Sequence, residues 1–157
     1  LDEQVSVLLN DGAGGFASPA QYMVDRGPEA VAIGDLNGDE APDMAAASRS
    51  GTVSVLLNDG SGAFVAGEVQ DPGGSLMAVL LADMTGDGAA DLLVGDTGSF
   101  NVHAFINQGD GTFEQAASYA AFPVDPQHLY LVDIDLDGVA ELIAAGESRA
   151  VVFDFAN

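Results

Sequence analysis

A motif that recurs about every fifty residues limits the fold of this chain more than any other feature. The peptide VSVLLNDGAGGF begins at Val5, VSVLLNDGSGAF begins at Val53, and VHAFINQGDGTF begins at Val102. A second recurring peptide follows each copy, and its three forms are VAIGDLNGDEAPDMAAA, VLLADMTGDGAADLLVG and LYLVDIDLDGVAELIAAG. Self-similarity at a fixed period predicts a fold built from repeated supersecondary units.

Within each repeat, the local pattern predicts β-strands. Short apolar and β-branched runs alternate with Asn-Asp-Gly or Gly-Asp-Gly turns, and no capped helical period interrupts them. In the best-defined unit we expect strands at 30–34, 43–48, 52–58 and 63–69. Four antiparallel strands in a period of about 40 to 50 residues are typical of one propeller blade. The predicted fold is therefore all-β, a β-propeller segment of about three four-stranded antiparallel blades with incomplete blades at both ends.

We assign the whole chain, 1–157, to a single repeat region. The predicted divisions are a partial blade at 1–29, blades at 30–70 and 77–119, and a partial blade at 128–157 in which Asn157 aligns with Asn10, Asn58 and Asn107. Propellers usually contain about four to eight blades. We therefore expect the chain to be part of a larger propeller or to complete its sheets with another chain. Its start lacks an initiator Met and a basic signal region, which indicates a processed product, an excised piece or an incompletely observed protein.

An acidic loop lies between the first two predicted strands of each unit. The loops are DLNGDEAPD (35–43), DMTGDGAAD (83–91) and DIDLDGVAE (133–141), called loops one, two and three. All three carry oxygen side chains at loop positions one, three, five and nine, while position seven offers a backbone carbonyl. The predicted ligands are Asp35, Asn37, Asp39, Ala41 and Asp43; Asp83, Thr85, Asp87, Ala89 and Asp91; and Asp133, Asp135, Asp137, Val139 and Glu141.

This ligand chemistry favours calcium, which takes about six to eight oxygen ligands at roughly 2.3 to 2.6 Å. Two carboxylates about 4 Å apart repel by roughly 4 kcal/mol at an effective dielectric of 20, and a cation removes that repulsion. Asp, Asn and Gly also form ordinary turns, but three loops in register favour up to three calcium sites. An EF-hand is disfavoured because its Glu ligand at position twelve is replaced by Ala46, Val94 and Ala144 and the flanks are predicted strands.

The pattern D-x-[DN]-G-D-G-x-x-D followed by LLNDGxGxF resembles the FG-GAP/VCBS repeats of calcium-binding β-propellers, such as the integrin alpha-subunit head, some lectins and large secreted bacterial proteins. The resemblance covers nearly the whole chain. It implies calcium in the hairpin between the first and second strands of a blade. This chain departs from the pattern at Glu40, Thr85, Leu136 and Glu141. We expect all three loops to bind, and loop two to bind most weakly because Thr85 offers only a hydroxyl.

The charge of the chain excludes some partners. Of its 157 residues, 25 are acidic and three are basic, which gives a formal net charge of -22. Such a chain repels phosphate backbones and anionic membranes, so we expect no nucleic-acid partner. No apolar run approaches the roughly 20 residues of a membrane span, so we expect no membrane insertion. The chain has no cysteine, which excludes disulfides and thiolate metal sites.

The histidines and the recurring phenylalanines are weaker candidates for functional residues than the acidic loops. His103 aligns with Ser6 and Ser54, which predicts a variable strand face, and His128 lies at a blade entry. A Ser-His-Asp triad can assemble across long sequence distances, but no G-x-S-x-G motif accompanies these residues, so we expect no enzymatic activity. The recurring aromatic residues are expected to pack between adjacent blades rather than to face a ligand; they are Phe16, Phe64 and Phe113.

Taken with the resemblance, these features favour a secreted or cell-surface, calcium-stabilised module for binding, adhesion or assembly. Extracellular calcium modules work with dissociation constants of about 10⁻⁴ to 10⁻³ M, which is why we place the protein outside the cell. Its partner would be a protein or glycan ligand, or further copies of itself. Two alternatives remain open: a structural subunit that oligomerises or polymerises by completing blades between chains, and a glycan-binding or accessory domain of a larger secreted enzyme.

Overall fold

A computed structural model describes residues 3–154 of the chain. These residues form an all-β structure with thirteen strands and no helix, hence none that is long and apolar enough to cross a membrane. The strands are β1 (Gln4–Val7), β2 (Ala20–Met23), β3 (Pro28–Gly34), β4 (Asp43–Ser48), β5 (Val53–Asn58), β6 (Phe64–Gln70), β7 (Leu76–Ala82), β8 (Asp91–Asp96), β9 (Asn101–Asn107), β10 (Phe113–Ala120), β11 (His128–Val132), β12 (Glu141–Ala145) and β13 (Ala150–Phe153).

The strands form four antiparallel sheets in chain order. Sheet I contains β1 and β2, sheet II contains β3 to β6, sheet III contains β7 to β10, and sheet IV contains β11 to β13. Within each sheet, every strand pairs with its neighbour in sequence, as in a meander. The four strands predicted between residues 30 and 69 are present as β3 to β6, and the predicted all-β blade architecture is confirmed. The predicted alignment of Asn157 lies outside the described residues.

The sheets stack face to face because their strands are apolar on both faces. In β4, Met44 and Ala46 pack toward sheet I, while the alternate residues Ala45 and Ala47 pack toward sheet III. This alternation is the period of a β-strand, whose successive side chains point to opposite faces. β4 and β8 are buried along their whole length, as expected for second strands covered on both sides. We call the face of a sheet that packs on the sheet before it in the chain its preceding face, and the opposite face its following face.

Two apolar clusters fill the spaces between sheets II, III and IV. Val53 and Val55 of sheet II meet Leu92 and Phe105 of sheet III in the first cluster. The second cluster joins sheets III and IV and includes Leu93, Val102, Ala104, Leu129, Leu142 and Ala144. The first strands of these sheets, β3, β7 and β11, lie next to one another, as inner strands do in a propeller.

The recurring phenylalanines do not share one environment. Phe113 is buried between sheets II and III, and Phe64 packs edge-to-face against Tyr22 of sheet I with ring centroids 5.3 Å apart. Each of these two rings therefore packs toward the preceding sheet, as predicted. Phe16 is 64% exposed, so the prediction is wrong for this residue. The reason is that no sheet precedes sheet I within residues 3–154.

The packing between sheets II and III depends on a loop residue as well as on strands. Leu36 lies outside β3, yet its side chain is 1% exposed and belongs to the cluster between the two sheets. We predict that Leu36→Ala lowers the free energy of unfolding by about 2 to 5 kcal/mol because it leaves a cavity. Urea unfolding followed by circular dichroism measures this loss. Leu8→Ala is the control, since Leu8 is 49% exposed, and an equal loss in both variants would contradict the prediction.

Candidate metal centre

The three acidic loops occupy equivalent hairpins. Loop one joins β3 to β4, loop two joins β7 to β8, and loop three joins β11 to β12. The flanks are strands, which agrees with the argument against an EF-hand. The residues at position twelve, Ala46, Val94 and Ala144, are fully buried inside the second strands of their sheets. They contribute to the packing between sheets and cannot ligate an ion in the loop.

All three loops share one backbone conformation, even where the residue type departs from glycine. At loop position four, φ is 78° at Gly38, 78° at Gly86 and 64° at Leu136. At position six, it is 66° at Glu40, 91° at Gly88 and 92° at Gly138. A positive φ places an L residue in the left-handed region, which costs roughly 1 to 2 kcal/mol. Glu40 and Leu136 therefore keep the loop geometry at the expense of local strain.

The carboxylate at position one organises the tip of each loop. Asp35 accepts hydrogen bonds from the N–H groups of Gly38 and Glu40 at 2.7 and 2.8 Å. The Glu40 N–H is the main reason that the pKa of Asp35 lies below its ordinary value, although partial desolvation opposes the shift. In loop two, the N–H of Gly88 likewise lowers the pKa of Asp83. Both side chains are therefore ionised at neutral pH, the form that binds a cation.

The acidic residue at position nine has a structural role that the sequence pattern did not reveal. Asp43 is fully buried, and its two oxygens accept the N–H of Leu36 at 2.8 Å and the N–H of Asn58 at 2.7 Å. Asp91 repeats this arrangement with Met84 at 2.8 Å and Asn107 at 2.9 Å. The carboxylate thus joins the start of the loop to the end of the third strand. Each oxygen has a second lone pair, so this role does not prevent metal binding.

Asn58 and Asn107 complete the arrangement, and we did not select them as site residues from the sequence. The Asn58 amide donates to the carbonyl of Pro42, and the Asn107 amide donates to the carbonyls of Ala90 and Leu36, at 2.8 to 3.0 Å. Pro42 and Ala90 both stand at loop position eight. In the sequence, only the recurrence of Asn in the LLNDG and FINQG peptides indicated that these residues have a structural role. It points to these residues as supports of the acidic loops.

Loop three brings its four predicted side-chain ligands together. One oxygen from each carboxylate lies within 4.8 Å of the others, and the group consists of Asp133, Asp135, Asp137 and Glu141. Among residues 3–154, Asp133 Oδ1 and Glu141 Oε1 are buried and have no hydrogen-bond partner. Glu141 is 4% exposed and uses its other oxygen to accept the N–H of Ile134 at 2.6 Å. A buried carboxylate oxygen without a donor is costly, and a hard cation satisfies it. The donor set of loop three therefore fits calcium.

The predicted ligands of loops one and two are less closely gathered. Among residues 3–154, only loop three contains three or more acidic, His or Cys ligand atoms at such mutual distances. In loop one, the Asn37 amide donates to Asp39 at 3.0 Å. The position-five carboxylates of all three loops accept the N–H of position seven at 2.8 to 2.9 Å; these pairs are Asp39 with Ala41, Asp87 with Ala89, and Asp137 with Val139. Thr85 lies exposed in loop two.

His103 lies in a buried polar group away from the loops. It is 7% exposed, and its Nδ1 lies 2.8 Å from Ser118 Oγ. Its Nε2 lies 3.5 Å from Asp96 Oδ2. Burial disfavours the ionised form of Asp96, but hydrogen bonds from Ser99, Ser75 and Gly98, together with the nearby His103 ring, hold its pKa below the ordinary value. This group links β8, β9 and β10, whereas His128 is exposed at the start of β11.

The chain is similar to a family of repeat proteins and to part of one solved structure. A family model described as "FG-GAP-like repeat" matches residues 35–94 and 83–144, and each match begins at the first acidic residue of a loop. A solved structure of the Tc holotoxin pore of Photorhabdus luminescens contains a similar chain, with 25% sequence identity and a TM-score of 0.48. That alignment covers 90% of this chain and only 7% of the toxin chain. No curated protein sequence matches this chain.

Two of the three acidic residues of loop two, those at positions five and nine, should have separable roles. We predict that Asp91→Ala lowers the free energy of unfolding by about 2 to 3 kcal/mol in EDTA, because two backbone N–H groups lose a charged acceptor. Asp87→Ala removes an exposed carboxylate whose hydrogen bond stays within the loop, so we expect a change below about 0.5 kcal/mol. Urea unfolding of both variants in the same buffer provides the comparison. Equal losses would show that position nine has no special structural role.

Replacing the strained residues with glycine should stabilise the loops. Because φ is 66° at Glu40 and 64° at Leu136, we predict that Glu40→Gly and Leu136→Gly each raise the free energy of unfolding by about 0.5 to 1 kcal/mol. Glu40→Ala is the control, since it removes the same carboxylate but keeps a Cβ. Urea unfolding in EDTA measures the difference. If Glu40→Ala stabilises as much as Glu40→Gly, charge rather than backbone strain is responsible.

Proposed function

This chain belongs to the FG-GAP-like repeat family, and on that premise we propose that it is a calcium-stabilised module for binding or assembly outside the cell. The observation that carries the calcium proposal is the loop-three group, in which four carboxylates converge and two of their buried oxygens have no hydrogen-bond partner among residues 3–154. Calcium supplies a compact positive charge that accepts several oxygen ligands at once.

The proposed ligands follow from the position of each donor. Asp133, Asp135, Asp137 and Glu141 hold the ion in loop three, and the carbonyl of Val139 is the proposed fifth donor. Loops one and two provide further sites through the same positions, with Asn37 and Thr85 replacing one carboxylate each. Loop three has the most negative donor set, so we expect it to bind calcium most tightly. We expect loop two to bind most weakly.

The calcium proposal also supports the proposed location. Loop carboxylates such as Asp135 and Asp137 are exposed, so their interaction with calcium competes with solvent. Sites of this kind in extracellular modules have dissociation constants of about 10⁻⁴ to 10⁻³ M, and calcium outside cells is abundant enough to fill them. We therefore propose a secreted or cell-surface protein. The ion would fix the hairpin between the first two strands of a blade.

We propose that the module binds a partner rather than catalyses a reaction. Ser118, His103 and Asp96 are in contact, but the separation of 3.5 Å between His103 and Asp96 is too long for a strong hydrogen bond. Asp96 instead accepts the N–H groups of Ser75 and Gly98 and the hydroxyl of Ser99. These donors come from turns beside β8, so the carboxylate orders local backbone. A structural role for the group accounts for these contacts.

Calcium removal tests the proposal. With calcium at about twenty times a dissociation constant of 10⁻⁴ M, one site adds about 2 kcal/mol to the free energy of unfolding, which raises Tm by roughly 4 to 8 °C. We predict that millimolar calcium raises Tm by about this amount relative to EDTA. Thermal unfolding followed by circular dichroism measures the shift, and isothermal titration calorimetry counts the ions. Magnesium should have a smaller effect because it dehydrates reluctantly.

Variants of the acidic loops identify which loops cause the calcium-dependent rise in Tm. We expect Asp137→Ala to reduce the calcium-dependent rise in Tm strongly and Asp87→Ala to reduce it less. Asp110→Ala is the matched control, because Asp110 is an exposed turn carboxylate outside the acidic loops that accepts the N–H of Thr112. This control should lower Tm equally in calcium and in EDTA. The proposal is overturned if chelation does not shift Tm and neither loop variant changes the response.

A further inference from the structure

Loop one contains the one asparagine of this chain that is followed by glycine. Asn37 precedes Gly38, whereas the other internal asparagines all precede residues with a side chain; they are Asn10, Asn58, Asn101 and Asn107. Glycine has no Cβ to shield its backbone nitrogen, so other atoms can approach that nitrogen closely. The nitrogen of Gly38 is therefore better able to reach the side-chain carbon of the preceding asparagine than the nitrogens at the other four positions.

The hydrogen bonds of loop one hold the Asn37 side chain across the Gly38 peptide. Asn37 Oδ1 accepts the N–H of Asp39 at 3.1 Å, and Asn37 Nδ2 donates to Asp39 Oδ2 at 3.0 Å. Both partners belong to the residue after Gly38, so the side-chain amide points along the chain and its Cγ lies beside the Gly38 nitrogen. Holding two reacting groups next to each other supplies much of the speed of intramolecular reactions.

The Gly38 peptide is also accessible to solvent. Gly38 is exposed, and a Cβ built on it would lie 3.5 Å from the Gly109 carbonyl oxygen, an ordinary contact. One hydrogen bond opposes attack by the nitrogen, because the Gly38 N–H donates to Asp35 Oδ1 at 2.7 Å. Water can replace this acceptor in an exposed loop, so transient opening of the hydrogen bond frees the nitrogen.

We propose that Asn37 is a self-modification site, at which the side-chain amide is converted to a carboxylate. The Gly38 nitrogen loses its proton to water and bonds to Asn37 Cγ. The Cγ–Nδ2 bond breaks, and ammonia leaves after taking a proton from water, which produces a five-membered succinimide ring. Water then opens the ring at one of its two carbonyl carbons and leaves aspartate or isoaspartate at position 37. The net reaction consumes water, releases ammonia and needs no oxidant or reductant.

The modification changes the ligand set of loop one, a consequence that rests on the proposed calcium function. Position three is Asn37 in loop one and Asp135 in loop three. Ring opening to aspartate gives loop one carboxylates at positions one, three, five and nine, the same positions that carry them in loop three. Because the number of charged ligands tunes calcium affinity, this product binds calcium more tightly. The isoaspartate product adds a carbon to the loop backbone, displaces the carboxylate and weakens binding.

Calcium should protect Asn37 from the reaction. The Asn37 side chain is a proposed ligand in the occupied loop, and a bound ion would keep its amide from the Gly38 nitrogen. With calcium at about twenty times the dissociation constant, the loop is empty only about one twentieth of the time, so a reaction confined to the empty loop slows about twentyfold. Loops two and three have Thr85 and Asp135 at this position and cannot release ammonia there.

Peptide mass spectrometry tests the modification after incubation of the whole chain in mildly alkaline buffer with EDTA. We expect the peptide that contains Asn37 to gain the mass difference between an amide and a carboxylate, with an equal amount of ammonia released. Peptides that contain Asn10 and Asn58 should stay unchanged. Asn37→Gln is the matched control, because it keeps the amide but lengthens the side chain and disfavours ring closure. The proposal is overturned if Asn37 gains no mass, or if Asn10, Asn58 or the glutamine variant reacts as fast.

Calorimetry of Asn37→Asp tests the consequence for calcium. This variant reproduces the aspartate product, and we expect one site to bind calcium roughly tenfold more tightly than in wild type. The two proposals can fail separately. A mass gain that is equally fast in calcium and in EDTA, without calcium binding by calorimetry, would support the modification site and overturn the metal site. Calcium binding without any mass gain at Asn37 in EDTA would support the metal site and overturn the modification site.

Discussion

A buried carboxylate at the end of each acidic loop determines how the surrounding strands meet. Asp43 and Asp91 are each fully buried, and each accepts one backbone N–H from the loop and one from the third strand of its sheet. A buried charge is costly unless it is paired or hydrogen-bonded, and here the donors are backbone groups that would otherwise need partners themselves. The carboxylate thus connects the first hairpin of a sheet to the following strand. The conformation of the loop and the register of the sheet depend on the same group.

Backbone hydrogen bonds within the loop explain how it carries several ionised carboxylates. The backbone N–H groups of the loop point toward Asp35 and Asp83 and lower the pKa of both, so the loop holds its charges through oriented dipoles. The left-handed residues at positions four and six make this orientation possible. Glu40 and Leu136 adopt it without being glycine, which shows that the turn geometry overrides their local preference. Loop three has an additional carboxylate, and two of its buried carboxylate oxygens have no hydrogen-bond partner among residues 3–154.

The sequence predicted the elements that depend on local pattern, and it missed those that depend on distant contacts. Period-two apolar runs between glycine turns identified β3 to β6, and the recurring acidic spacing identified the three hairpins. The dual role of Asp43 required knowledge that Asn58, 15 residues later, ends beside it. Burial of His103 required the pairing of β9 with β10, which brings Ser118 next to the ring. Phe16 was predicted wrongly because a repeated residue is buried only where a neighbouring sheet covers it.

Loop conformation and sheet packing are also coupled in this fold, because one loop residue serves both. The N–H of Leu36 donates to Asp43, while its side chain fills the space between sheets II and III. The side-chain amide of Asn107 in sheet III donates to the Leu36 carbonyl at 2.8 Å, so a hydrogen bond joins sheet III to the backbone of loop one. A change in the loop therefore alters a core side chain and an intersheet hydrogen bond together. At loop three, the corresponding Ile134 is bonded to Glu141 in the same way, but its side chain is exposed. The chain thus presents, at the following face of sheet IV, a preformed loop whose apolar residue has no covering sheet among residues 3–154.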